Sequence, residues 1–224
     1  RSLKRQGNLA KSKLKDEDLV SLNKGLSNLK KHMDIIHSFG LPLVVAINKF
    51  EDDSPKEVEM VMEKVKAAGV KVALSEHHAR GGDGALEVAR MLDEVATEGI
   101  VPHYTYCLDQ PYDEKVRAIS TIIYGADSVA FSYPARKKME FFEKLGYDKL
   151  AVCMAKTPYS LSDDPKLLGV PRHFKIKVSD IRLAAGAGFI IPITGDITTM
   201  PGLPRIPAAV HMDIEPDGKI KGLF

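Results

Sequence analysis

Between residues 16 and 39, Leu19, Leu22, Leu26, Leu29, Met33 and Ile36 recur at alternating steps of three and four. That spacing keeps side chains on one face of an α-helix and predicts an amphipathic helix of about six turns. Asp16 stands where an N-cap belongs and Gly40 where a helix ends. Pro42 then opens PLVVAI, a short apolar run rich in branched residues that reads as a strand buried on both faces. Its end delivers Asn48, Lys49 and Phe50, followed by the polar loop EDDSP. A second helix is expected from Pro55 to Ala68, and Gly69 separates it from a strand VKVAL that ends at Ser75, Glu76, His77 and His78. Gly81 and Gly82 form a turn, and Asp83 is placed to cap a third helix running to Ala96.

Helix, strand, helix, strand, helix is the order of a parallel sheet with crossover helices. Ligands of such sheets sit beyond the carboxyl ends of the strands, where the polar clusters 48–53 and 75–82 both fall. The remainder is less regular. Helices are expected at 113–123 and 134–145, with short strands at 128–131 and 150–154. From residue 157 the chain turns rich in Pro, Gly, Ser and Asp, with one strand-like stretch from Lys175 to Arg182. The predicted fold is α/β, a parallel α/β segment over 1–100 followed by a smaller mixed α+β subdomain over 101–224.

An apolar fraction of 44% with 28% charged residues places the chain among folded domains and away from disorder. With 32 basic against 30 acidic residues the net charge is +2, so no whole-molecule field recruits nucleic acid or anionic lipid. A small-molecule partner is expected instead. No apolar run reaches the roughly 20 residues that span a bilayer, and the expected compartment is the cytoplasm. Cys107 and Cys153 lack metal or disulfide spacing and read as buried thiols. The opening RSLKRQG reads as the middle of a connection, so further chain is expected before it.

VVAINKFED resembles the base-reading NKxD element of P-loop GTPases, with Glu51 where that element carries Asp. The phosphate-cradling sequence GxxxxGK[ST] is absent, so a triphosphate cannot be held in that manner by these residues. GAGF at 186–189 precedes an apolar strand rather than opening a helix, which speaks against a dinucleotide site and for close packing of two backbones. His77 and His78 with Glu76 lack further ligands at metal spacing, and neighbouring side chains on an extended backbone point apart. No metal site is expected. Asp163 and Asp164, before a proline, read as a turn rather than a catalytic pair.

The segments INKF, SEHHARGG, IYGAD, CMAKTPYSLSDDP, RLAAGAGF, TGDITTMPGLP and the terminal GLF, in that order, resemble the C-terminal part of formate-tetrahydrofolate ligases. The resemblance implies a P-loop NTPase-like core lacking its P-loop part, and the ATP-dependent synthesis of 10-formyltetrahydrofolate through formyl phosphate. It implies ATP with Mg and tetrahydrofolate as substrates beside formate, and activation by a monovalent cation. The implied partners are the enzyme's N-terminal P-loop portion and further copies in a homotetramer, and the chain alone is expected to be inactive. The family's pterin lies between a Phe and a Trp, positions that fall on Phe50 and His78, with Glu51 beside them where Pro is usual. Asn48, Ser75 and Glu76 are expected near the nucleotide base. The alternatives are a stand-alone GTPase-like nucleotide-binding module and a non-catalytic folate-binding or assembly fragment.

Overall fold

The computed structural model describes residues 1–96, 99–195, 197 and 204–222. Its order is α1 (Ser2–Gln6), α2 (Leu19–Ser38), β1 (Val44–Asn48), α3 (Pro55–Ala67), β2 (Lys71–Ser75), α4 (His77–Arg80) and α5 (Leu86–Ala96). There follow α6 (Tyr112–Ala118), β3 (Ser128–Phe131), α7 (Tyr133–Lys144), β4 (Ala151–Val152), β5 (Lys175–Ala184) and β6 (Phe189–Thr194). A small antiparallel pair, β7 (Asp213–Ile214) and β8 (Ile220–Lys221), closes the order.

β1 and β2 pair in parallel, Val44 opposite Lys71 through to Asn48 opposite Ser75, with α3 as the crossover between them. The in-register pairing brings both strands to their carboxyl ends together. Leu22 and Met33 of α2 join Val61 and Val65 of α3 and Val70 and Val72 at the start of β2 in one apolar cluster. The expected burial of β1 on both faces is not found, because Ala46 and Asn48 are exposed. Among the described residues β1 has β2 as its single neighbour strand, so part of its surface opens outward.

α2 is capped by Asp18, whose carboxylate accepts from Ser21 N at 2.8 Å, rather than by Asp16. Its buried face carries Leu22, Gly25, Asn28, Met33 and Ile35, while Ile36 is exposed. The departure from the leucine stripe has a tertiary cause. α1 crosses α2 so closely that a Cβ on Gly25 would stand 1.8 Å from the carbonyl oxygen of Leu3, and one on Gly7 the same distance from that of Ser21. Further along, buried Asn28 donates to the carbonyl of Gly169 at 2.7 Å. Buried Lys4 bonds Glu57 at 2.9 Å and the Asp16 carbonyl at 2.7 Å, while Glu57 accepts from Asp18 N at 2.7 Å. This one ion pair ties α1, the start of α2 and α3 together.

The second sheet has the order β3-β5-β6-β4, parallel between β3 and β5, antiparallel between β5 and β6, and parallel between β6 and β4. It mixes orientations, and Tyr112, Val116, Val129, Val178, Ile181 and Ile190 fill its core. α6 and the π-helical turn Ile119–Ile123 together cover the helix expected at 113–123. Gly186 and Gly188 lie in the turn between β5 and β6, and a Cβ on either meets nothing within 4 Å, so the expected close packing of backbones is absent. Left-handed φ at Gly188 (+73°) is what the turn requires. The described residues contain no helix long and apolar enough to cross a membrane.

Candidate functional site at the ends of two parallel strands

Lys49 N donates to Ser75 O at 3.0 Å, which extends the β1–β2 pairing one residue beyond Asn48 and Ser75. Phe50 then leaves the strand, its amide accepted by Asp53 Oδ2 at 2.9 Å, so the turn 50–53 is closed by a side chain. On the neighbouring strand end, Glu76 N bonds the carbonyl of Gly84 at 2.9 Å. A Cβ at Gly84 would lie 2.5 Å from the Glu76 carbonyl group, so only glycine lets the segment 81–85 fold back this tightly.

His77 and His78 sit in the single helical turn α4, not on an extended backbone as the sequence reading assumed. The turn separates them by a different route. His77 Nδ1 is 2.8 Å from Ser75 Oγ, while the His78 ring approaches Phe50 with centroids 5.2 Å apart and planes at 56°. The helix expected to start at Asp83 begins at Leu86, because Asp83 belongs to a 3-10 turn, Gly81–Ala85.

The site is charged at its rim. Lys49 Nζ pairs with Glu76 Oε1 at 2.7 Å, and Arg80 reaches Glu76 Oε2 at 3.3 Å. The hydrogen bond and charge of Lys49, then those of Arg80, hold the Glu76 carboxyl below the usual glutamate range. On the far side the Arg1 guanidinium lies 5.0 Å from the Phe50 ring centre and pairs with Asp53 at 3.3 Å. A cavity of ≈370 Å³ runs from Asn48 and Phe50 along β1 between Leu22 and Val61. This volume lies within the roughly 300–1,000 Å³ of small-molecule pockets.

Of the residues singled out from sequence, Phe50 and His78 touch, and Asn48, Ser75 and Glu76 stand at the two adjoining strand ends. Glu51 lies exposed in the turn after Phe50. Arg1 was not anticipated as a member of the site, and Lys49 and Asp53, though inside the cluster 48–53, had been given no role of their own. Lys49 and Asp53 flank Phe50 and carried a local signal, whereas nothing near Arg1 indicated that α1 folds back onto the loop.

A family model for formate–tetrahydrofolate ligase matches residues 1–224. The chain belongs to that family. Its patterned segment 156–164 is ordered around a lysine: Lys156 Nζ donates to the carbonyls of Thr157 and Ser162 at 2.8 Å and also to that of Ser160. Burial pushes the Lys156 ammonium down to about 8. Asp164 accepts from Lys166 N, a turn role that agrees with the sequence reading, whereas Asp163 accepts from Lys177 N of β5 and so ties the segment to the second sheet. In this ligase-family chain the three converging carbonyls are thus satisfied by one ammonium group. The segment 194–204 lies largely outside the described residues, as does most of the terminal GLF. Cys107 and Cys153, expected to be buried, are both exposed. Alternation along β4 explains one of them, since Val152 points into the core and Cys153 away from it.

Proposed function

We propose that this chain supplies the folate side of the active site in an ATP-dependent formate–tetrahydrofolate ligase, with Phe50 and His78 as the walls that receive the pterin. The observation that carries the reading is the meeting of these two rings across adjacent parallel strand ends, where Phe50 also lines a cavity. Flat side chains hold a heteroaromatic ring at small entropic cost and tolerate its polar edge. A ring lying about 3.5 Å from each wall needs centroids about 7 Å apart. At 5.2 Å the two walls touch, so pterin entry requires His78 to swing away from Phe50. His78 is exposed and sits in a one-turn helix, which makes that movement inexpensive.

In the proposed reaction a formate oxygen attacks the γ-phosphorus of ATP, the bond to the β,γ-bridging oxygen breaks, and formyl phosphate and ADP result. The N10 lone pair of tetrahydrofolate attacks the formyl carbon, the C–O bond to phosphate breaks with its electrons leaving on phosphate, and N10 gives up its proton. N10 is a weak nucleophile, so positioning dominates, and the rigid turn 50–53 serves it. Asn48, Ser75 and Glu76 are assigned to the neighbourhood of the nucleotide base, and Glu51 to the rim of the folate slot. The triphosphate itself falls to an N-terminal P-loop portion, with residues 1–100 belonging to a P-loop NTPase-like core and 101–224 forming a smaller subdomain. The working enzyme is taken to be a cytoplasmic homotetramer.

Titration of the chain with tetrahydrofolate tests this reading. Phe50→Ala and His78→Ala should each weaken binding by about tenfold, and His78→Trp should tighten it, because indole offers more stacking area. Addition of ATP and formate should give no 10-formyltetrahydrofolate from this chain alone. Folate affinity unchanged by both alanine substitutions would refute the assignment.

A further inference from the structure

Phe50 and His78 are held very unequally. The Phe50 backbone is closed into its turn from both ends, its amide accepted by Asp53 Oδ2 at 2.9 Å and its carbonyl accepting from Asp53 N at 3.1 Å. Its ring centre lies 5.0 Å from the guanidinium of Arg1, inside the range of a cation–π contact. His78 has no comparable anchor. It is exposed, sits in a helix of one turn, and among the described residues its imidazole has no hydrogen bond or ion pair.

Arg1 is itself fixed. Its Nε stands 3.3 Å from Asp53 Oδ1 and its Nη2 3.6 Å from Asp52 Oδ2, so one guanidinium spans two carboxylates of the turn that carries Phe50. Asp53 serves both partners, one oxygen taking the Phe50 amide and the other meeting Arg1. The Arg1 and Asp53 side chains are only 31% and 16% exposed, and partial shielding from water strengthens both the ion pair and the contact with the ring. The backbone that carries Arg1 is placed by the close crossing of α1 over α2 at Gly25 and by the buried Lys4–Glu57 pair. A lysine could not replace this arrangement, because its point charge lacks the planar fork that bonds along its edge while its face lies on a ring.

Resting on the pterin assignment above, we infer that Arg1 is a positioning residue for the folate slot, fixing Phe50 as the stationary wall so that the slot opens by movement of His78 alone. In this role Arg1 needs no contact with the ligand. A wall already set in its stacking plane spares the ligand the cost of ordering it, and the saving is read as affinity.

The test titrates the full chain with tetrahydrofolate and with 6-methyltetrahydropterin, a probe that has the pterin but no glutamate carboxylates. Arg1→Met, which keeps an unbranched stem without the charge, should weaken both ligands by about threefold to tenfold. Arg1→Lys, which keeps the charge without the fork, should also bind less tightly than the parent. In a Phe50→Ala background Arg1→Met should change affinity by less than about twofold, since no ring is left to hold. Side-chain couplings of labelled Phe50 should report one χ1 rotamer in the parent and averaging in Arg1→Met, with an unchanged circular dichroism spectrum verifying the fold. If Phe50→Ala leaves both affinities unchanged, the pterin assignment fails and this inference falls with it. If Phe50→Ala weakens binding and Arg1→Met does not, the assignment stands and the positioning role is refuted. A loss confined to tetrahydrofolate, or one that persists in full without the Phe50 ring, would refute it as well, by making Arg1 a direct partner of the ligand.

Discussion

Replacing Gly25 by alanine reverses the usual sign of a glycine substitution. In the interior of an exposed helix, Gly→Ala stabilises by about 1 kcal/mol, because glycine loses more backbone freedom on folding. Gly25 is in the interior of α2, but its new Cβ would stand 1.8 Å from Leu3 O and 2.6 Å from Leu3 C. Both obstacles are backbone atoms, which cannot rotate aside. To restore ordinary contact, α1 must lift by about 1.6 Å, a displacement that close-packed elements do not absorb locally. Lys4 rides on α1, and its 2.9 Å pairing with Glu57 would open beyond hydrogen-bond range with both partners still buried. Breaking such a pair costs about 3–5 kcal/mol. Set against the helix-propensity gain, the expected net loss is about 2–4 kcal/mol. Urea unfolding followed by far-ultraviolet circular dichroism measures it, with Ser27→Ala on the exposed face of α2 expected to stay within about 0.5 kcal/mol of the parent. Because Arg1 begins α1 and stacks on Phe50, the same substitution should loosen the turn 50–53. A Gly25→Ala protein at least as stable as the parent would refute the account of how α1 is seated.

Two further outcomes follow from the structure. The Lys156 ammonium is lowered from the ordinary 10.5 to about 8, so between those values the unfolded chain binds more protons than the folded one and stability rises with pH. Allowing for the side chain's partial exposure, that rise is about 1–2 kcal/mol between pH 8 and 10.5. It should be missing in Lys156→Met, as paired denaturant titrations across this range would show. Both cysteines are free and exposed, so native protein should release two equivalents of thionitrobenzoate from Ellman's reagent without denaturant; a requirement for denaturant would contradict their placement.

The parallel α/β segment was legible because each of its elements carries its own periodicity. The three-and-four stripe of α2, the branched run of β1 and the capping and glycine positions around α3 are local signals, and local sterics sufficed to place β2 behind them. Phe50 and His78 fell inside the strand-end clusters 48–53 and 75–82, but their pairing as two walls was legible only through resemblance, since residue types alone do not distinguish a ligand wall from a surface pair. What the tertiary structure decided is where one segment meets another. The seating of α1 on Gly25 moved the buried face of α2 off its leucine stripe, toward Gly25, Asn28 and Ile35. The same crossing brought Arg1 to Phe50 and Gln6 to Gly169. Asp18 displaced Asp16 as the cap because Glu57, held by Lys4, claims the Asp18 amide. Each of these contacts joins residues far apart in the chain, so its energy depends on a geometry that no window of sequence contains.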